Sequence, residues 1–262
     1  IESLEGKHGV PRIRPPFPTT HGYLNKPTVV NNVETFASAA KIAVQGGDWF
    51  ASRGTAESKG TKLLSLSGDC ERPGIYEYPF GVTVRQVLED CGAKNPQGIQ
   101  MAGPAGHMIS AKLFDRRICF EDLATGGSFM VFGWHRDILD GIRNFTHFFA
   151  HESCGFCTPC RVGTTLMRDL MDKVHSGHGT QADLDEMRSI GQIMRAASHC
   201  GLGHTAPNPV ISSLDQFPES YQKRLRSTSY EPAFDLDAAL GDARRLTGRT
   251  DPGAYLSEDS HA

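Results

Sequence analysis

The residues with the clearest chemical role are four cysteines. Three stand at two-residue gaps in Cys154-Gly155-Phe156-Cys157-Thr158-Pro159-Cys160, and Cys200 is the only cysteine after them. A short loop containing Gly and Pro can turn three sulfurs toward one centre, and tetrahedral or cubane metal sites need a fourth thiolate. Four thiolates serve either a [4Fe–4S] cluster or structural zinc. Because zinc modules usually show two separated CxxC pairs, the three-plus-one spacing favours a cluster over zinc, and either metal over a disulfide.

Composition and charge exclude several classes of protein. The chain has 262 residues, a net charge of −3 and 39% hydrophobic residues, which is ordinary for a globular protein. We expect no nucleic-acid partner because no basic excess exists. We expect no membrane insertion because no apolar run approaches the ~18 residues of a span, and no signal peptide opens the chain. The remaining cysteines, Cys70, Cys91 and Cys119, are expected to be reduced thiols, which indicates a cytoplasmic location.

The first predicted region, residues 1–58, combines a Pro-rich segment with one helix. The prolines exclude a regular helix or central strand over residues 12–20 and predict an extended covering segment. Phe17, held between two prolines, is expected either to fill the core or to stack on a ligand. Val29 and Val30 are typical of a strand end, and Asn31 or Asn32 of a helix N-cap. Two glycines at 46 and 47 predict the end of that helix.

The second predicted region, residues 59–136, has a strand-rich pattern. A hairpin is predicted from runs at 61–67 and 75–78, and a short helix at 83–91. Further strand-like runs follow at 99–102, 118–120 and 129–132. A hairpin, one helix and more strands in so few residues indicate a small β-grasp (ubiquitin-like) domain. This domain shows no residues with evident chemistry, so docking or spacing is its expected role.

Residues 137–225 switch to a helical period and predict a four-helix bundle. The apolar stripes are Ile138, Ile142, Phe145 and Phe149; Val162, Leu166, Leu170 and Val174; Leu184, Met187, Gly191 and Met194; and Val210, Leu214, Phe217, Tyr221 and Leu225. Thr180 and Asp183 predict a capping box at the third helix. The cysteines lie at helix junctions, so one end of the bundle is expected to hold the cluster. Its expected apolar wrapping is Phe156, Pro159, Leu202 and Pro207.

The remaining histidines and the C-terminus offer less chemistry. His199, beside Cys200, is expected to tune the cluster rather than to ligate it. His175 and His178 favour a solvated inter-helix loop over a metal site, because no carboxylate or thiol stands at ligand spacing. Residues 226–262 are polar and weakly patterned, and they predict a tail along the surface. The chain begins at Ile1 within a segment of structured character, so we expect it to be the later part of a longer polypeptide.

Two stretches and one further cysteine together resemble a known family. They are Lys26-Pro27-Thr28-Val29-Val30-Asn31-Asn32-Val33-Glu34-Thr35, Glu152-Ser153-Cys154-Gly155-Phe156-Cys157-Thr158-Pro159-Cys160-Arg161, and Cys200. The family is the flavin-bearing, NADH-reacting subunit shared by respiratory complex I, NAD-reducing [NiFe] hydrogenases and NAD-dependent formate dehydrogenases, and the resemblance covers about residues 1–225. Residues 68–77, 200–203 and 234–241 are most similar to the diaphorase subunit of a soluble NAD-reducing hydrogenase.

This resemblance implies FMN, NAD(H) and a [4Fe–4S] cluster that together convert hydride transfer into single-electron transfer. By the same resemblance, Val30, Asn31 and Asn32 would bind the flavin phosphate or ribityl chain, and Phe17 would stack on the NAD adenine. The glycine-rich flavin loop of the family precedes a segment like residues 1–6, so FMN and NAD(H) would be shared with a preceding flavin-binding segment. A small ferredoxin-like iron–sulfur subunit and hydrogenase (or formate dehydrogenase) subunits are the implied partners.

The sequence therefore predicts an α/β region that ends a flavin-binding domain, a β-grasp domain and a cluster-bearing helical bundle. The function expected from the resemblance is electron transfer between NAD(H)/FMN and the cluster in an NAD-reducing hydrogenase, an oxidoreductase that converts hydrogen and NAD to NADH. The alternatives are the same subunit of a formate dehydrogenase or of complex I, and, more distantly, a zinc-stapled interaction module without redox chemistry.

Overall fold

The computed structural model describes residues 1–227 and 236–249, and it begins with an irregular N-terminal segment, residues 1–32. Within the described residues this segment has one regular element, a 3-10 turn at Tyr23–Asn25. Arg12 holds the segment together because its guanidinium group pairs with the carboxylates of Glu2 and Glu5. The prediction that its proline-rich part forms neither helix nor strand is confirmed.

Two helices follow this segment: α1 at Val33–Gln45 and α2 at Gly47–Ala51. Helix α1 begins where predicted, because the Asn32 side chain accepts the Glu34 backbone N–H over 2.8 Å. It ends at Gly46, whose φ of +89° suits glycine. The Glu34 carboxylate also pairs with Lys62 and accepts the Leu63 N–H over 2.8 Å, which ties the start of α1 to the first strand of the sheet.

Five strands form one sheet in the order β2-β1-β5-β3-β4. The elements of this region are β1 Thr61–Gly68, β2 Gly74–Pro79, α3 Val84–Asp90, β3 Pro96–Met101, β4 His107–Ser110 and β5 Ser128–Gly133. Strands β1 and β5 are parallel, and the other neighbours are antiparallel. Helix α3 buries Val84, Val87 and Leu88 in the core to which β1 contributes Leu64 and Leu66. The predicted hairpin and helix are confirmed.

Two strand predictions are wrong, and one observed strand lies outside the predicted runs. Residues 118–120 form no strand, because Ile118 instead exchanges two backbone hydrogen bonds with the 81–82 link and is buried there. Strand β4 has no counterpart among the predicted runs: its four residues are too short for alternation to stand out. Val29 and Val30 are exposed and lie outside the strands of the described residues, because no neighbouring strand offers them a ladder.

Six helices complete the region up to residue 226. They are α4 Ile138–Glu152, α5 Thr158–His175, α6 Gln181–Ala197, α7 Gly201–Thr205, α8 Asn208–Gln216 and α9 Pro218–Gln222. Helix α4 packs on α5, α5 on α6, α6 on α8, and α8 on α4, around one hydrophobic core. The predicted capping box at the start of α6 is confirmed, because Thr180 and Asp183 each accept a backbone N–H of the other.

Two predictions for these helices are wrong. The buried face of α5 is not the predicted one. Val162 and Leu166 of the predicted apolar stripe are 44% and 41% exposed, whereas Met167 and Met171 are buried. The fourth helix is not continuous, because it breaks at Phe217 (φ −132°, ψ 48°) before Pro218. A residue before proline avoids the α conformation, so the chain restarts as α9. Helix α8 nevertheless joins the two regions, and its Ser212 hydroxyl accepts the backbone N–H of Met108 over 2.8 Å.

The C-terminal unit contains one described helix, α10 at Leu236–Thr247. This helix lies within the polar tail predicted for residues 226–262, whose positions 228–235 and 250–262 lie outside the described residues. Among the helices of the described ranges, none has both the length and the apolar character that a membrane crossing requires.

Candidate iron–sulfur centre

The cysteine loop connects α4 to α5. Cys154 lies in the link and is exposed, Cys157 is the N-cap of α5, and Cys160 lies buried in its first turn. Gly155 turns the loop with a φ of +74°, a conformation that favours glycine. The guanidinium group of Arg161 donates to the Gly155 carbonyl, which fixes the turn from the helix side. Local chemistry therefore folds the three thiols toward one side of the helix start, as predicted.

The fourth thiol arrives through the link between α6 and α7. Cys200 is the N-cap residue of α7, and the preceding backbone N–H, of His199, points to the Cys157 sulfur at 3.5 Å. The His199 ring lies 5.3 Å from the Phe156 ring, so the histidine contacts the cysteine loop. An amide N–H aimed at sulfur stabilises a thiolate more than a thiol.

A cavity of about 160 Å³ is lined by all four of these cysteines. One water needs only ~10–15 Å³ by this measure, so the cavity accommodates a much larger group. A single zinc ion held by four thiolates at ~2.3 Å would leave no such space between the sulfurs, whereas an iron–sulfur cubane would occupy it. The shape of the site favours the cluster.

The walls of this cavity differ in part from the prediction. Phe156 and Leu202 line it as predicted, but Pro159 and Pro207 do not. Their place is taken by Gly9 and Pro11 of the N-terminal segment. Sequence spacing could not reveal this contact, because more than a hundred residues separate that segment from the cysteines. The N-terminal segment therefore covers the same site that the helices build.

The electrostatics of the cavity disfavour four free thiolates and would be relieved by a bound cation. Burial raises the pKa of the Cys160 thiol; the hydrogen bond with Ser153 lowers it, and the three other thiols raise it further. Four thiolates in one cavity would repel one another without a metal, whereas a coordinated thiol is deprotonated outright. The start of α5, an 18-residue helix, adds a positive dipole end beside the anionic ligand set. The residues present fit a four-thiolate metal cluster.

Two residues outside the cysteine motifs shape this junction, and spacing did not identify them. Gly203 in α7 faces Ser198, the C-cap residue of α6, and also Cys160. A Cβ on Gly203 would lie 2.3 Å from the Ser198 oxygen and 3.0 Å from the Cys160 Cβ. Glycine is thus required for α7 to approach α5. The two glycines that follow Cys200 were the only sequence signal of this close approach.

The residues proposed by resemblance for flavin and nucleotide lie on the surface of the described chain. Phe17 is 54% exposed and Val30 is 66% exposed, and Asn31 and Asn32 are also exposed. The alternative in which Phe17 fills the core is wrong, because the ring packs into neither hydrophobic core of the described residues. Asn32 caps α1, as described above, so the start of this helix lies at the surface with its Glu34 N–H already bonded to the cap.

The other cysteines and histidines lie apart from the cavity. Cys91 and Cys119 are buried free thiols and Cys70 is partly buried, as expected for reduced cysteines. His175 is not in a loop but ends α5, and its Nε2 lies 2.6 Å from the Asp140 carboxylate of α4. No carboxylate lies near His175 along the chain, but the fold brings the Asp140 carboxylate to it from another helix. Asp137, nearby, is already paired with Arg224 and caps α4.

Fold and site together define a mixed α/β chain in which four cysteines line one cavity at a helix junction. Residues 140–224 match the family described as the NADH-ubiquinone oxidoreductase-F iron-sulfur binding region. All four cysteines that line the cavity fall within the matched range.

Relatives extend the likeness over most of the chain. It is 48% identical over 244 residues to the NAD-reducing hydrogenase HoxS subunit alpha of Cupriavidus necator, covering 92% of this chain and 40% of the relative. It is 40% identical to the NADP-reducing hydrogenase subunit HndC of Solidesulfovibrio fructosivorans, covering 86% of this chain and 48% of the relative. It is 38% identical to an NADH-quinone oxidoreductase subunit of Streptomyces coelicolor, covering 89% of this chain and 55% of the relative.

A solved structure agrees with these relatives. The chain superimposes with a TM-score of 0.84 and 45% identity on an NAD⁺-reducing [NiFe]-hydrogenase in the H₂-reduced state, covering 98% of this chain and 45% of that one. The mixed α/β architecture with its five-stranded sheet is therefore shared with this hydrogenase. The chain spans about half the length of the relatives that it matches.

Proposed function

We propose that this chain is the cluster-bearing part of an electron-transfer subunit in an NAD-reducing hydrogenase, with Cys154, Cys157, Cys160 and Cys200 as ligands of one [4Fe–4S] cluster. The observation that carries the proposal is the single cavity lined by all four cysteines. The 48% identity to an NAD-reducing hydrogenase subunit supports hydrogen and NAD as the reactants of the whole assembly. A bound cluster would supply single-electron chemistry to that reaction.

We propose that the start of α1 and the N-terminal segment contribute to the FMN and NAD(H) sites. Asn31, Asn32 and Val30 surround an outward-facing helix start, where backbone N–H groups and the helix dipole favour a phosphate. Phe17 presents an exposed aromatic face suited to stacking on an adenine. The same segment lines the cluster cavity through Gly9 and Pro11, which supports a short route between nucleotide and cluster.

For the domains, we propose the boundaries 1–58, 59–136, 137–225 and 226–262. The strand order β2-β1-β5-β3-β4, with β1 parallel to β5, supports a β-grasp assignment for the second. The closed ring of contacts among α4, α5, α6 and α8 supports a four-helix bundle for the third. A preceding flavin-binding segment, a ferredoxin-like subunit and hydrogenase subunits in the cytoplasm complete the proposed assembly.

The ligand assignment is tested by changing Cys200 to Ala in the assembled enzyme. Losing one of four thiolates should remove the cluster, so iron content and the paramagnetic signal of the reduced cluster should fall, and electron transfer from NADH to distal acceptors should stop. Cys119→Ser is the matched control, because Cys119 is buried and lies outside the cavity. Full iron content in the Cys200 variant would overturn the assignment. A colourless, zinc-loaded wild-type protein would overturn the redox function itself.

The identity of the assembly needs a separate measurement. The likeness to a component of an NADH-quinone oxidoreductase keeps a complex I subunit as the second candidate. The proteins that co-purify with the native chain distinguish these functions. Hydrogenase subunits with hydrogen-dependent NAD reduction support the first proposal, whereas quinone-reductase subunits support the second.

A further inference from the structure

Ser198 carries a buried hydroxyl without a hydrogen-bond partner among the described residues, close to the cluster ligand Cys160 but not itself in the lining of the cavity. The residue is 7% exposed and ends α6 two positions before Cys200. Its backbone N–H is satisfied by the Met194 carbonyl. Its Oγ, in contrast, has no hydrogen-bond partner among the described residues. A buried hydroxyl without a partner is unfavourable, so such an atom calls for a specific explanation.

The packing around Ser198 places this hydroxyl beside the cluster ligands. The position that a Cβ of Gly203 would occupy is 2.3 Å from Ser198 Oγ and 3.0 Å from the Cβ of Cys160. The hydroxyl and the Cys160 side chain therefore converge on one point. Cys160 itself lines the cavity, and so does Leu202, the residue before Gly203. The absent side chain at Gly203 lets Ser198 pack close to Cys160, with too little room left between them for even one methyl group.

We infer that Ser198 Oγ–H donates a hydrogen bond to a sulfur of the bound cluster on the Cys160 side, and that this bond raises the reduction potential of the cluster. The inference rests on the proposed function, because it requires that the cluster is bound. Hydrogen bonds to cluster sulfur stabilise the reduced state more than the oxidised state, since reduction adds negative charge to the sulfurs. Ser198 is thus a positioning and tuning residue, not a ligand.

The experiment compares wild-type and Ser198→Ala holoenzyme by redox titration followed by electron paramagnetic resonance. Loss of one such hydrogen bond should shift the one-electron equilibrium toward the oxidised cluster by about three- to tenfold, and tenfold corresponds to ~59 mV. Pulsed measurements in deuterated water should show the coupling of one exchangeable proton disappearing in the variant. The matched control is Ser189→Ala, since Ser189 lies on the exposed face of the same helix and bonds to the Asp185 carbonyl.

Each outcome decides the inference. A lower potential with full iron content supports it, and an unchanged potential with full iron content overturns it while leaving the cluster assignment intact. If Ser198→Ala loses the cluster, Ser198→Thr, which keeps the hydroxyl, carries the decision. A retained cluster with a near wild-type potential in the Thr variant supports the inference, and a cluster absent from both variants overturns it. Wild-type protein without a cluster would instead refute the proposed function.

Discussion

Gly203 allows a test of how the tertiary packing holds the cluster. Replacing it with alanine adds one methyl group at the α7–α5 junction. That carbon would lie 2.3 Å from Ser198 Oγ, 2.5 Å from Ser198 Cβ and 3.0 Å from Cys160 Cβ. Favourable contacts between carbon atoms need ~3.5–4.0 Å, so the neighbours must move by about 1 Å. A Cβ cannot move without its backbone, so α7 must shift relative to Cys160 or to Ser198.

The magnitude follows from two opposing terms. Overpacking of this kind costs about 1–3 kcal/mol. Alanine also gains about 1 kcal/mol over glycine within a helix. We expect a net loss of about 0–2 kcal/mol in unfolding free energy, which lowers the thermal midpoint by as much as ~8 °C at ~2–4 °C per kcal/mol. Because the shift displaces Cys160 or the α7 segment that carries Cys200, iron content should fall more than stability alone would suggest.

Gly201→Ala is the matched control. Gly201 lies two residues earlier in α7, and a Cβ there would meet nothing within 4 Å. Only the helix-propensity gain applies, so this variant should keep full iron content and an equal or slightly higher thermal midpoint. The two variants differ by position alone, which isolates the steric effect.

The assay measures iron per chain, the visible absorption of the cluster and the thermal midpoint for both variants and the wild type. Adding Ser198→Gly to Gly203→Ala removes two of the three close contacts and should restore part of the lost iron, a coupling expected only for residues in contact. If Gly203→Ala holds as much iron as Gly201→Ala and unfolds at the same temperature, the steric reasoning is refuted.

Three further predictions concern the nucleotide side and the helical bundle. Asn32→Ala in the assembled enzyme should weaken FMN binding about ten- to a hundredfold, because one charge-assisted hydrogen bond of ~1.5–3 kcal/mol is lost; FMN retention on dilution measures this. Phe17→Leu should raise the Michaelis constant for NADH severalfold with turnover nearly unchanged, because adenine stacking contributes only to binding. Asp183→Ala should cost about 0.5–2 kcal/mol of stability, because it removes the capping box and the 2.7 Å pair with Lys173; thermal unfolding measures this.

Each of these predictions has a control and a contrary result. Unchanged FMN retention in Asn32→Ala would return that residue to simple helix capping. Phe148→Leu, on an exposed part of α4, should leave the NADH kinetics unchanged; a Phe17 variant that loses turnover at constant Michaelis constant would contradict stacking. Asp185→Ala, exposed on the same helix as Asp183, should leave the thermal midpoint nearly constant.

Much of the site follows from local sequence. The cysteine gaps, the Gly155 turn and the single later cysteine identified all four cysteines that line the cavity. Helix starts at Asn32 and Thr180 were also predictable, because capping depends on residues within three positions of one another. Interactions of this range are encoded by spacing alone.

Other features required the tertiary structure. The predicted stripe of α5 was displaced because Gly163 lets Met194 approach closely, with the Met194 sulfur 2.6 Å from the position a Cβ would take. A small residue can determine which helix face is buried, and apolar periodicity does not count small residues as core. Pro218 is a local signal for a helix break at this point. The prediction of one continuous helix followed the apolar stripe instead, because that stripe continues past Pro218.

The sequence by itself determined which residues can ligate a metal and where the helices around them begin. Only the tertiary structure decided what encloses that site: Gly9 and Pro11 from the chain start, and Ser198 facing Cys160 across Gly203. The reason is physical. Ligand geometry and capping act within a few residues along the chain, whereas enclosure depends on contacts between segments far apart in sequence, whose pairing is set by the packing of the whole core.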